Sequence, residues 1–486
     1  MRIALAIAIS VAIACAVNAS AQEARRMTQA QIIQDVLQRT KPLAFPRGER
    51  LPIRASRLEG LWTDDDAEVE RVLRELDARG IAMNARWSPG NREKSLAEGL
   101  RLARLQKKLG LGIGINANAC MHSFCNGEER TFHVAEDGTL FYDDSFSPRR
   151  KMGCPFALKH RYPEIREQFD HFLGAYKDAG LEIEFIYLDW EIDGPLEWNG
   201  AWASSKKCTR CRQNIPNIDD FAEFQRALRT LRCEMQREVC AETVKRYFPR
   251  ALVGNYSVYP HNGYRYWYDY YEEFAEGAPF KADQRAKYRE WFHEFSLTGY
   301  SFAMPVVYTW YPTFGWYDFA NADYRWFYNM LLVATNACKS TPADTPIISW
   351  LHWHTTSPPR EGEPTIPGLQ QFSEEKYREL LWHMLLRGTD GLMMWCPAEE
   401  TGQEMQLLQE VYAAALEYKE FLDKGEPVSF AVPSQPGPVV SGLRLGNRVL
   451  VRRTDFDDRR EPVELEVDGR SVKVRRVQGK CQVLSL

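Results

Sequence analysis

The chain has 486 residues, 44% hydrophobic and 12% aromatic, with 62 Lys and Arg against 66 Asp and Glu for a net charge of −4. So balanced a charge leaves no electrostatic footprint for nucleic acid. The length supports one large core with a smaller one beside it.

Residues 1–21 read as a secretory signal: Arg2, an apolar stretch from Ile3 to Val17, then the small-residue sequence Ala19-Ser20-Ala21. The apolar core is short for a membrane span, and no later stretch reaches the roughly 18 uninterrupted apolar residues that would suggest one. A soluble protein that is secreted or periplasmic is expected, with no membrane span. Residues 22–47 are polar with helical tendency and form a lead-in.

From residue 48 to residue 425, short apolar runs alternate with amphipathic stretches, the pattern of parallel strands joined by helices. The expected strands are Ile53–Trp62, Ile81–Trp87, Leu111–Asn118, Ile183–Asp189, Ala251–Ser257, Tyr300–Tyr308, Ile347–Trp353 and Gly391–Trp395. Between them lie helices Asp66–Arg79, Glu93–Lys108, Glu164–Ala179, Ile218–Tyr247, Lys281–Phe295, Asp323–Cys338 and Ser373–Leu386, closed by Glu404–Leu422. Eight such units predict an α/β fold of the (β/α)8 TIM-barrel type. Two long connections, Ala119–Lys159 and Ile192–Asn217, follow strands three and four, where long loops tend to be functional. Residues 426–486 change to Pro-rich and alternating segments and predict a small C-terminal antiparallel β-domain without a catalytic role.

Export and an even count of cysteines after cleavage favour disulfides. Cys233 and Cys240 cannot pair with each other: on a helix their Cα atoms stand roughly 10 Å apart, and a bridge needs about 7 Å or less. The alternative for the Cys208-Thr209-Arg210-Cys211 knuckle is zinc, with Cys120 and Cys125 completing the set. No cofactor is expected.

Strand four runs Phe185-Ile186-Tyr187-Leu188-Asp189-Trp190-Glu191-Ile192-Asp193, so its apolar core leads directly into three carboxylates at alternate positions. Alternation turns Asp189, Glu191 and Asp193 the same way, at the strand end where barrels carry out chemistry. Two carboxylates in an apolar site cannot both ionise easily, and the one kept protonated serves as a general acid. The competing reading is strand-end acids that merely pair with arginines or cap the next helix.

The run Leu188-Asp189-Trp190-Glu191, with Pro195, Trp198 and Trp202 after it, resembles the strand-four motif of the hyaluronidase family of glycoside hydrolases and, more distantly, family 18 chitinases. The segments Gly254–Pro260 with Asn262, Ala303–Tyr308 and Gly391–Trp395 resemble that family's strands five, six and eight; His261-Asn262 stands where the family has Asp-Cys. The resemblance implies a hydrolase of an oligo- or polysaccharide containing N-acetylhexosamine. Glu191 would be general acid/base, the substrate's acetamido carbonyl the nucleophile, and Asp189 and Tyr308 the groups that orient the acetamide. Trp395 would form the pocket floor. Strand seven supplies no carboxylate, which fits this exception to the two-carboxylate scheme. The alternative makes Asp189 the nucleophile, acting on neutral, deoxy or sulfated sugars. The expected sugar-contacting set is Asp193, Tyr256, Tyr259, Trp310, Trp353, Trp395 and His352.

Competing assignments are a non-catalytic carbohydrate-binding barrel and a zinc-dependent deacetylase-like enzyme. His352 and His354, with His122 or His261, could form a metal site, but hydrogen bonding to sugar hydroxyls or to the protein is favoured and no catalytic metal is assigned. Basic residues gather in the long loops (Arg149, Arg150, Lys151; Lys206, Lys207, Arg210, Arg212), which would suit an anionic glycan or simply form a solvated face.

Overall fold

The computed structural model describes residues 27–121, 127–191, 194–265, 289–356, 358 and 365–486. The signal segment, His122, Cys125, Asp193 and residues 281–288 of the expected helix Lys281–Phe295 lie outside the described residues; the rest of that helix is not formed, Arg289–Glu290 being a short strand followed by a loop up to Phe295.

Eight strands form one parallel sheet: β1 (Ile53–Glu59), β2 (Ile81–Arg86), β3 (Ile113–Asn116), β4 (Ile183–Leu188), β5 (Leu252–Asn255), β6 (Val306–Trp310), β7 (Ile348–Thr356) and β8 (Gly391–Met394). Their order is β6-β7-β8-β1-β2-β3-β4-β5. The two ends of the sheet are joined by the segment before β6. Ser301 N donates to Val253 O at 2.9 Å on one side, and Ile348 N donates to Ala303 O at 2.9 Å on the other. Regular pairing of β6 begins only at Val306, later than the expected Tyr300, because Pro305 has no N–H to offer a ladder. This is the TIM-barrel architecture, with helices outside the sheet.

Those helices are α1 (Gln29–Arg39), α2 (Asp66–Asp77), α3 (Arg92–Lys108), α4 (Tyr162–Asp178), α5 (Phe221–Met235), α6 (Ala322–Ser340), α7 (Glu374–Leu385) and α8 (Thr401–Ala415). Helix α2 illustrates the local logic. The Asp65 carboxylate caps its N-terminus through Ala67 N and Glu68 N, and Val69, Val72, Leu73 and Leu76 form its buried stripe. The lead-in becomes α1, started by a Thr28–Gln31 capping box; Gln409 of α8 donates to Lys41 O just beyond it at 2.6 Å. The single helix expected over Ile218–Tyr247 is interrupted by a π-turn at Gln236–Ala241 before helix resumes at Glu242–Tyr247.

Beyond the barrel, Glu426–Pro427, β9 (Pro438–Leu445), β10 (Arg448–Asp455) and β13 (Cys481–Ser485) form an antiparallel sheet in that order, and β11 (Val463–Val467) pairs with β12 (Arg470–Val474) in a separate hairpin. The sheet docks on α7 through buried polar groups: Arg452 grips Glu379 bidentately at 2.6 and 2.8 Å, and His383 bonds Ser441 and Thr454 at 2.8 and 3.0 Å. No helix among the described residues is long and apolar enough to cross a membrane. The expected disulfides are not formed among the described cysteines: Cys120, Cys240 and Cys396 lie in the main core, while Cys154, Cys208 and Cys211 share a second cluster as free thiols.

The barrel interior is polar at its N-terminal end. Arg54 of β1 lies inside, its guanidinium bonded to Asn84 and stacked 4.6 Å from the centre of the Phe185 ring; burial pushes its pKa down to about 10. Only a glycine at 114 leaves room for this pair, since a Cβ there would collide with both Arg54 Nη1 and Asn84 Oδ1. Gly114→Ala is therefore expected to destabilise the fold by about 1–3 kcal/mol, checked by urea unfolding; a change within about 0.5 kcal/mol would show that the interior accommodates the methyl group.

Candidate active site

Strand β4 carries its side chains alternately into the barrel and out toward the helices. Phe185 and Tyr187 point in, where Phe185 stacks on Phe302 at 5.2 Å and Tyr187 meets Trp350 at 5.5 Å. The alternation continues past the last paired residue: Asp189 and Glu191 are partly exposed, while Trp190 between them is completely buried.

A side-chain clamp holds this irregular end. Asn255, the last residue of β5, accepts from Trp190 N at 3.0 Å through Oδ1 and donates to Trp190 O at 3.1 Å through Nδ2. The same Nδ2 donates to Gln236 Oε1 at 3.0 Å, and the Tyr300 hydroxyl donates to that oxygen at 3.0 Å. Gln236 opens the π-turn, so the irregularity in the helix lies where its side chain reaches the clamp. From α5, Arg232 donates to Trp190 O at 3.0 Å, lies 5.1 Å over its ring, and is neutralised by Glu197 at 2.6 Å.

Around the two carboxylates stands a wall from β5 to β8. Tyr256 lies 6.4 Å from Tyr308, Tyr308 stacks 6.1 Å from Trp395, and His352 meets Trp395 edge-on at 5.3 Å. Burial raises the Tyr308 phenol well above its usual range, reinforced by Tyr256, Asp189 and Glu191, so it stays protonated as a hydrogen-bond donor. The chain leaves β5 through Ser257 at φ 59°, a left-handed conformation uncommon for serine, directly after the residue that presents Tyr256 to this wall.

Asp189 is pushed up to about 6 by burial, with Arg57 and Arg86 opposing. The same two arginines act on Glu59, which the sequence reading missed. Burial raises Glu59 to about 7, against hydrogen bonds from Tyr187 and from Asn116 Nδ2, the latter at 2.9 Å. Glu59 reaches this face because the register of β1 on β2 slips between Arg54 and Glu59, so that Glu59 pairs with Asn84. Its position at a barrel strand's C-terminal end was the available signal.

Two further acids follow β8. Glu404 is fully buried and accepts from Trp353 N at 2.8 Å and from His352 Nδ1 at 3.1 Å. Burial alone would raise it, but the imidazoles of His352 and His354 hold it below the usual carboxylate range. Glu400 lies 3.4 Å from His354 Nδ1. The two histidines are thus held by carboxylates.

Of the expected residues, Asp189, Glu191, Tyr308, Tyr256, His352 and Trp395 come together. Trp310 is buried at the end of β6, two residues past Tyr308. Tyr259 and Trp353 lie elsewhere. Tyr259 packs with Ala303, Ala337 and Ile347. Trp353 points outward on β7, its Nε1 donating to Phe372 O at 2.8 Å and its ring facing Tyr377. Strand alternation that puts His352 inside puts Trp353 outside. The loop cations fold onto local aromatic rings: Arg150 over Phe146, Lys151 over Tyr142 and Lys206 over Trp202. A cavity of about 200 Å3 lined by Arg47, Arg50, Arg54 and Glu184 sits at the opposite, N-terminal end of the strands, away from these carboxylates.

No protein-family model matches the chain, and no curated protein sequence matches it. Solved structures similar to it include a family GH36 α-galactosidase, AgaA from Geobacillus stearothermophilus, at 12% identity and TM-score 0.45, covering 94% of this chain and 58% of that one. An α-L-fucosidase isoenzyme 1 from Paenibacillus thiaminolyticus is 12% identical at TM-score 0.34, covering 90% and 87%. An endo-1,4-β-D-mannanase from Thermotoga petrophila is 13% identical at TM-score 0.30, covering 75% and 83%. The chain spans 58% of the length of the α-galactosidase.

The clamp makes a specific demand on Asn255. Asn255→Ala leaves the buried Trp190 N–H without its acceptor and is expected to cost about 2–4 kcal/mol by chemical denaturation, with altered Trp fluorescence; unchanged stability would mean the β4 end is held by other contacts.

Proposed function

We propose that the chain is an exported glycoside hydrolase acting on an oligo- or polysaccharide that contains N-acetylhexosamine. The observation that carries this reading is the placement of Asp189 and Glu191 just past the end of β4, where its alternation turns them the same way beside the Tyr308–Trp395 wall. An aromatic face with a phenol donor suits a sugar ring, which is apolar on its faces and hydroxylated at its edge. Glu191 would give its proton to the glycosidic oxygen as that bond to the anomeric carbon breaks, while the substrate's acetamido oxygen bonds to the same carbon. Asp189, ionised, would hold the acetamide N–H and offset the positive charge that forms, with Tyr308 donating to the acetamide. Water then opens the cyclic intermediate, returning a proton to Glu191. The likeness of Leu188–Glu191 to the hyaluronidase strand-four motif supports the same assignment.

A second reading is favoured by Glu59. Held near neutrality at the end of β1, it offers a protonated carboxyl beside the same arginines that face Asp189. Asp189 would then be the nucleophile in a two-carboxylate mechanism on a sugar without the acetamide.

Hydrolysis of a glycan panel in the presence of an N-acetylglucosamine-thiazoline separates the two: inhibition is expected, and activity indifferent to it moves the assignment to nucleophilic Asp189. Glu191→Gln is expected to lower kcat at least 1,000-fold, on the order of removing a general acid with its positioning; near-normal activity across the panel would sink the proposal.

The state of Asp189 also sets a pH dependence. With its carboxyl raised to about 6, kcat/KM is expected to fall on the acid side with an apparent pKa near 6. The folded state binds this proton more tightly than the unfolded chain, so Asp189 contributes less stability as pH rises from about 4 to 6. Asp189→Asn should therefore abolish the acid limb with most of the activity, yet raise Tm at pH 7. A retained limb would assign it to another group.

A further inference from the structure

We propose that His133, Cys154, Cys208 and Cys211 bind one structural zinc ion that ties together the two long loops on the catalytic face. Each offers a donor atom, and these atoms all lie within 4.8 Å of one another. Cys154 Sγ and Cys211 Sγ are 3.5 Å apart, and His133 Nδ1 faces Cys211 Sγ at 3.9 Å. Ligands about 2.3 Å from a tetrahedral zinc are separated by about 3.8 Å, whereas a disulfide would bring the sulfurs to about 2.05 Å. Three soft thiolates and an imidazole form a donor set suited to zinc.

The local chain is shaped for this. Cys208 caps the short helix Thr209–Asn214 in extended conformation and Cys211 lies one turn in, giving the two-residue spacing of a zinc knuckle. Cys154 arrives from the other loop, its backbone N–H donating to Thr131 O at 2.7 Å. His133 opens the hairpin of His133–Val134 with Leu140–Phe141 and stacks on Phe141 at 5.0 Å. The two loops are fastened around the cluster, with Thr209 Oγ1 donating to Val134 O at 3.1 Å and Arg210 to Phe132 O at 3.3 Å.

All four residues are at most 1% exposed, and His133 Nε2 has no hydrogen-bond partner among the described residues. Four buried protein donors leave no position for water or substrate, which makes the site structural. The sequence reading offered Cys120 and Cys125 as partners for the knuckle. The structure instead puts Cys120 in the main core, Cys125 is outside the described residues, and Cys154 and His133 take those places.

The test is elemental analysis of the protein purified without chelator or added metal, with a non-reducing peptide map of the same sample. About one zinc per chain is expected, falling to near zero in Cys211→Ser and Cys154→Ser but retained in Cys338→Ser, whose thiol is remote from the cluster. Should the ligand variants fail to fold, cobalt(II) exchanged into the wild-type protein provides the readout: intense tetrahedral d–d bands with thiolate-to-cobalt charge transfer are expected. Three free thiols at Cys154, Cys208 and Cys211 without bound metal, a disulfide joining any two of them, or an octahedral cobalt spectrum would each overturn the assignment.

Discussion

The candidate site depends on how β4 ends. A parallel strand that stops pairing leaves backbone groups unsatisfied just where the side chains of the candidate site must be held rigidly. Here Asn255 supplies a donor and an acceptor to the two backbone groups of Trp190, replacing the ladder with a side chain of fixed geometry. Because Trp190 is pinned with its ring buried beneath Arg232, its neighbours Asp189 and Glu191 are turned into the barrel mouth. The π-turn at Gln236 and the Tyr300 hydroxyl complete this support, so the direction of two carboxylates is determined by residues on β5, α5 and the approach to β6.

Polar groups inside the barrel follow a gradient. At the N-terminal end, Arg54 and Asn84 satisfy each other in the space left by Gly114. Aromatic rings fill the middle, where Tyr187 and Trp350 touch. At the C-terminal end carboxylates gather under the charges of Arg57 and Arg86. Burial raises Asp189 and Glu59, and the arginines limit how far. Glu404 goes the other way because the imidazoles of His352 and His354 hold it ionised, and, bonded also to Trp353 N, it braces β7.

Both long loops on this face are organised by contacts to each other. The sulfur and imidazole cluster joins their outer parts, and closer to the barrel Ser204 bonds Asp143 while Trp198 Nε1 donates to Ser145 Oγ at 2.8 Å. Glu197, five residues before the short helix Trp202–Lys207 that leads to the knuckle, neutralises the Arg232 that lies over the Trp190 ring. The loop after β4 is thereby coupled at its start to the clamp and at its far end to the loop after β3.

The order of strands and helices was legible in the sequence, because alternation of apolar runs with amphipathic stretches reports burial directly. The Asp189–Glu191 pair was legible too, since a period of two along β4 is a local property. What the sequence by itself could not determine were features created by contact between distant segments. Glu59 turns toward the mouth through a register slip visible only against β2, and Trp353 is outside because β7 is set by the pairing of His352 with Tyr308. Tyr259 belongs to a cluster formed with Ala303, Ala337 and Ile347, none of them a sequence neighbour. Cys154 and His133 meet Cys208 and Cys211 because two loops fold onto one another, and thiol spacing along a chain does not report separation in space. Residue type and periodicity thus determined which groups can do chemistry and on which strand face, while tertiary packing decided which of them share a site and which are ionised.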